Sequence, residues 1–129
     1  MIYNKNTGEY KVYFYQNSFN NKTPVLEYIC RLSNKEQVKI LAYISFLCER
    51  SGYLDYPYSR YIRASIRELR VDLSRKRHRV FFVAVEDKRI ILLHAFLKKT
   101  AKTPEQEIKK ALDNFEDYKA NKKSIKYEK

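Results

Sequence analysis

Between residues 66 and 97 three runs rich in β-branched and aromatic residues follow one another with little between them: 66–73 (IRELRVDL), 79–86 (RVFFVAVE) and 89–97 (RIILLHAFL). Connections this short leave no room for a crossover, so neighbouring runs pair antiparallel as a meander. The stretch 10–15 (YKVYFY) has the same composition and reads as a strand ahead of them. Thr23-Pro24, a capping residue and a first-turn proline, opens a short helix ending near Leu32. Ser33 with Glu36 has the form of a capping box and starts a helix running to about Arg50, so the two form a helical hairpin. Ser51-Gly52 ends it, and the Tyr- and Pro-containing stretch 53–61 reads as a loop. Thr103-Pro104-Glu105-Gln106 repeats the cap, proline and capping-box pattern and opens a helix with Ile108, Ala111, Leu112, Phe115 and Tyr118 on one face. The expected fold is α+β in the order β-α-α-β-β-β-α, one domain over 1–129. Its helices lie on one face of an antiparallel sheet, and its lysine-rich tail, 119–129, frays.

Charge narrows the partner. Lys and Arg number 27 against 15 Asp and Glu, a formal charge of +12, which in so small a domain spreads a positive field over much of the surface. Nucleic acid is the commonest partner for such a field, with a membrane surface or an acidic protein as rivals. A hydrophobic fraction of 44% excludes a disordered chain. No apolar run approaches the roughly 20 residues of a spanning helix, and Met1 to Tyr10 lacks the apolar stretch of a signal peptide, so a soluble, cytoplasmic protein is expected. Cys30 and Cys48 lack the paired spacing of a zinc or redox site and read as small apolar fillers. With no metal constellation, no serine-nucleophile motif and only Gly8 and Gly52 as glycines, no metal or cofactor is expected.

Alternation along the strands sorts their side chains if Asp87-Lys88 is a two-residue turn and 74–77 a four-residue one. Leu69, Val71, Leu73, Val80, Phe82, Ala84, Ile91, Leu93 and Ala95 then share a core face. The opposite, uncovered face gathers Glu68, Arg70, Asp72, Arg79, Phe81, His94 and Phe96, with Arg70 and His94 flanking Phe81 and Arg79 opposite Phe96. Guanidiniums grip phosphates, aromatic faces stack on unpaired bases, and an imidazole moves a proton near neutral pH. Against this stand blander readings: a Glu68–Arg70 ion pair, a solvated turn at Arg75-Lys76-Arg77, and structural roles for His78 and His94. Tyr58 and Tyr61, in the loop before the basic strand, are further candidates to stack on bases.

These residues also form a recognisable pattern. The segment 65–70 (SIRELR), then Arg79-Val80-Phe81-Phe82, then 92–100 (LLHAFLKKT), then Lys102-Thr103-Pro104 resembles the HigB-like, phage-derived branch of the RelE/ParE toxin superfamily. The resemblance implies a RelE-like sheet with two N-terminal helices and a C-terminal helix. It also implies the toxin of a type II toxin–antitoxin system, an endoribonuclease that cleaves mRNA in the ribosomal A site. A cognate antitoxin, with a helix-turn-helix domain, silences it. Matched to the pattern, Arg70, Arg79, His94, Lys98 and Lys99 form the expected catalytic set; Arg67, Phe81, Phe96, Tyr61 and Lys102 are the RNA-binding residues expected beside it from their charge or rings. The cleavage expected is metal-free, by attack of the RNA's own 2′-OH, with Arg70 and Arg79 stabilising charge, His94 as acid or base, and Lys98 or Lys99 as phosphate clamp or substitute acid. Two alternatives stay open: an inhibitor of DNA gyrase on the same fold, and a binding module for RNA or protein without activity.

Overall fold

The short connections close as turns. Ala64-Ser65 and Asp87-Lys88 each take two consecutive left-handed residues, and Ser74 takes one. The structure, a computed structural model, describes residues 9–128, so most of the N-terminal stretch read above as leaderless lies outside it. The elements are β1 (Lys11–Tyr15), α1 (Pro24–Cys30), α2 (Asn34–Glu49), β2 (Ser59–Arg63), β3 (Ile66–Leu73), β4 (Lys76–Val85), β5 (Arg89–Leu97), α3 (Glu105–Asn121) and β6 (Ser124–Lys126). They form an α+β fold on one six-stranded sheet in the order β2-β3-β4-β5-β1-β6.

Four expectations are corrected. The last third of the Tyr-rich loop, with Ile62 and Arg63, is the edge strand β2, because Ser-Arg-Tyr-Ile-Arg alternates against β3. The tail does not fray from Lys119: α3 runs on to Asn121, and β6 pairs antiparallel with β1. The sheet is mixed, since β1 lies parallel to β5. Finally, helices cover both faces. The α1–α2 hairpin packs over Val12, Phe14, Leu69, Val71, Val80, Phe82 and Leu92, while α3 sets Ile108, Ala111 and Tyr118 on Ile66, Phe81, Val83, Ile91 and Leu93.

Register follows from loop length. The β3–β4 turn spans only Ser74 and Arg75, so Arg70 pairs with Arg79 and Glu68 with Phe81, a slide of two that leaves the faces unchanged. The β4–β5 connection holds three residues, Glu86–Lys88, and a bulge at Phe81/Phe82 absorbs the odd one. Beyond the bulge Phe81 meets His94 and Arg79 meets Phe96 as expected; before it, Ile91 and Leu93 turn to the α3 face instead of the hairpin face. Cys30 is exposed rather than a filler, whereas Cys48 packs half-buried against the hairpin core.

A buried polar chain locks the hairpin to the sheet. His78 joins the Tyr28 hydroxyl (2.7 Å) to Glu36 (2.7 Å), whose carboxylate completes the Ser33 capping box. Hydrogen bonds from Ser33, ahead of the contributions of His78 and Lys76 and against burial, hold Glu36 down at about 2, and burial pushes Tyr28 up to about 12. On the other face, burial opposes ionisation of Asp117, but hydrogen bonds from Ser18, Tyr15 and Asn121 hold it at about 2. Both carboxyls titrate lower folded than unfolded, so their stabilisation is complete above the ordinary values of 4.5 and 3.8 and is lost as pH falls toward 2. Thermal melts should therefore drop steeply between about pH 4.5 and 2, and Glu36→Gln should flatten that slope; an unchanged slope would refute the assignment.

Candidate nucleic-acid interface

The face carrying Arg70 and Arg79 is covered by α3 over β5, the middle of β4 and Ile66 at the start of β3, and Phe81 and Phe96 are buried there. At the β2–β3 end, one buried carboxylate organises a cationic cluster. Glu68, 0% exposed, accepts from Arg60 Nε (3.0 Å), Arg70 Nη1 (3.1 Å) and the Thr103 hydroxyl (3.3 Å), while Arg60 Nη2 donates to Thr103 Oγ1 (3.0 Å). Thr103 was expected to cap α3; Pro104 occupies the cap position without a side-chain bond, and the hydroxyl serves this network instead. Arg79 Nη1 donates to Asp72 Oδ1 (2.6 Å) and to the carbonyl of His78 (3.0 Å). Its Nε is the one buried side-chain polar atom among the described residues without a hydrogen-bond partner.

Lys98 completes the group. It is 7% exposed and forms no ion pair within 4 Å among the described residues, although it feels Glu68 along with Arg79, Arg60 and Arg70. Burial, reinforced by those three guanidiniums and opposed by Glu68, lowers its pKa below the usual lysine value. Four cations (Arg60, Arg70, Arg79, Lys98) thus face two carboxylates (Glu68, Asp72), leaving two positive charges in excess at a partly buried site. An anion with several oxygens, such as a phosphodiester, fits that excess. The exposed ring of Tyr56 lies against the Arg70 guanidinium, 5.3 Å from centroid to Cζ, and gives the mouth an aromatic wall.

The site residues expected from sequence divide into three groups. Arg70, Arg79 and Lys98 come together, and Lys99 and Lys102 lie exposed in the segment that carries Lys98 into α3. His94, Phe81 and Phe96 share their face but sit under α3. The two rings offer no free surface to a base, and His94 Nε2 donates to Glu107 Oε1 at 2.6 Å, with burial lowering its pKa despite that carboxylate. Arg67 and Tyr61, paired with each other, point to the hairpin face, where Arg67 lies over Tyr53 (4.8 Å) and bonds Ser59; Tyr58 packs on Tyr43 of α2. The sequence reading missed Arg60, Thr103 and Tyr56. Arg60 could have been found by giving β2 its alternation, which sets it opposite Glu68. Among the described residues no group of three or more His, Cys, Asp or Glu side chains is placed to hold a metal ion, and no helix is long and apolar enough to cross a membrane.

Residues 27–116, from α1 through most of α3, match the family described as Phage derived protein Gp49-like (DUF891). The chain belongs to that family. Gp49-like proteins are part of the RelE/HigB-like toxins of toxin–antitoxin systems, a setting that implies a cognate antitoxin for this chain too. The matched region of the Gp49-like fold contains every member of the cationic cluster. No curated protein matches the chain.

Proposed function

We propose that this Gp49-like chain is a toxin that cuts mRNA in the ribosomal A site, with the Arg60–Arg70–Arg79–Lys98 cluster as its phosphate-binding centre. The observation that carries the reading is the uncompensated charge there, centred on a nearly buried lysine. In the reaction drawn, the 2′-oxygen attacks the adjacent phosphorus as its proton passes to the Asp72 carboxylate, which is exposed and held against Arg79. Arg70 and Arg79 stabilise the charge that develops on the phosphoryl oxygens, since arginine stays protonated. Lys98, its pKa lowered by burial, gives a proton to the departing 5′-oxygen. Proton transfer thus moves from His94, which ties α3 to the sheet through Glu107, to Lys98. Tyr56 takes over from Phe81 and Phe96 as the stacking surface.

Primer extension on cellular mRNA after induction tests the reaction. New codon-phased 5′ ends are the expected result, and DNA breaks with intact mRNA would point to gyrase instead. Lys98→Arg separates proton donation from charge: it keeps the cation but releases no proton, so RNA binding should persist while cleavage falls about 100-fold. The native rate should decline with rising pH through the lowered lysine value. Undiminished cleavage by a folded Lys98→Arg variant would remove Lys98 as the acid.

A further inference from the structure

The segment 16–23 between β1 and α1 presents Phe19 with 97% of its surface exposed, more than any other large hydrophobic side chain among the described residues. This is no slack loop. Asn17 Oδ1 accepts from the backbone N–H groups of Phe19 (2.7 Å) and Asn20 (3.0 Å), Asn17 N–H donates to the Lys22 carbonyl (2.8 Å), and Asn21 N–H donates back to Asn17 (2.9 Å). From the side, Ser18 donates through both its N–H (2.9 Å) and its hydroxyl (2.6 Å) to Asp117 of α3, and Asn121 braces the same carboxylate (2.8 Å). A rigid loop holding out an aromatic ring has already lost the entropy that binding would otherwise cost.

The surroundings select the partner. The neighbours of Phe19 in the loop are Ser18, Asn20, Asn21 and Lys22, Asn121 bonds Ser18, and the Lys123 ammonium lies on the Asn21 side chain, so beside the paired Asp117 carboxylate the segment is polar and carries two cations. A protein hot spot would sit at the centre of a patch that excludes water. A nucleobase asks for less: one π-face to stack on and cations for the flanking phosphates. We propose that Phe19 is a stacking platform for an unpaired base of RNA, with Lys22 and Lys123 on the adjacent phosphates, a second RNA contact that needs no chemistry at the Arg70 cluster.

The chain contains no tryptophan, so Phe19→Trp creates a sole reporter at this point. Titration with a single-stranded 2′-O-methyl oligonucleotide, which cannot be cleaved by 2′-OH attack, should quench its emission to saturation. Phe19→Ala should bind the same oligonucleotide about tenfold more weakly, and Phe19→Tyr should recover most of the loss. The quench should persist in an Arg70→Ala background, so failure of the nuclease reading leaves this proposal standing. Unchanged emission with equal binding by Phe19→Ala, or a response to phosphatidylglycerol vesicles alone, would overturn it.

Discussion

Arg70→Ala should abolish growth arrest on induction in a bacterial host while leaving a folded protein. One phosphate-directed cation in a partly desolvated site is worth on the order of 100- to 1,000-fold in rate, enough to drop a toxin below the level that stops growth. The fold should survive because Arg70 is not the only counter-charge to Glu68: Arg60 and Thr103 still donate to that carboxylate. The Arg70 side chain also keeps 17% of its surface in solvent, so its truncation opens no sealed cavity. The melting temperature should shift by only a few degrees. Arg67→Ala is the matched control, three residues away on the same strand but on the hairpin face, and it should stay toxic. Growth arrest by the Arg70→Ala variant at the native level would end the assignment of the cluster as the active centre.

How much of this was legible in the sequence depends on which features are local. The Ser33/Glu36 box needs only four residues and formed as read; the face shared by Arg70, Arg79 and His94 needs only alternation and even-numbered slips, and it survived an error of two in the β3–β4 turn. Ile91 and Leu93 went to the wrong face because a three-residue connection and a bulge cancel each other beyond Phe81, and nothing at those positions marks a bulge. The second error was global. A face bearing Glu68, Arg70, Asp72 and Arg79 looks too polar to be covered, yet the same face carries Ile66, Phe81, Val83 and Phe96, and after the bulge Ile91 and Leu93 too. That apolar half draws in Ile108, Ala111 and Tyr118 of α3, which buries His94 and leaves the cations at the other half, where Arg79 and Lys98 are themselves nearly buried. Thr103 shows the same limit from the other side: its capping pattern is local, and a buried carboxylate distant in sequence outcompetes it.

Glu68→Gln should then be the most damaging single change to stability in the site, though it alters no volume. The carboxylate is 0% exposed and is the shared acceptor of Arg60, Arg70 and Thr103, with Lys98 within its field. Removing its charge leaves the four cations of the cluster facing Asp72 alone. Breaking a buried ion pair from one side costs about 3–5 kcal/mol; with the Arg60 side chain 40% exposed, solvent screens part of this, and about 3 kcal/mol is expected. For a chain of this length that lowers the melting temperature by roughly 10 °C. The loss carries a signature that a packing defect would lack. Because the variant's weakness is unneutralised positive charge, inorganic phosphate or sulfate should raise its melting temperature more than it raises that of the native protein, by binding where a phosphodiester would. Glu68→Gln melting within two degrees of the native protein, or gaining nothing extra from phosphate, would mean that Glu68 does not hold these cations in place.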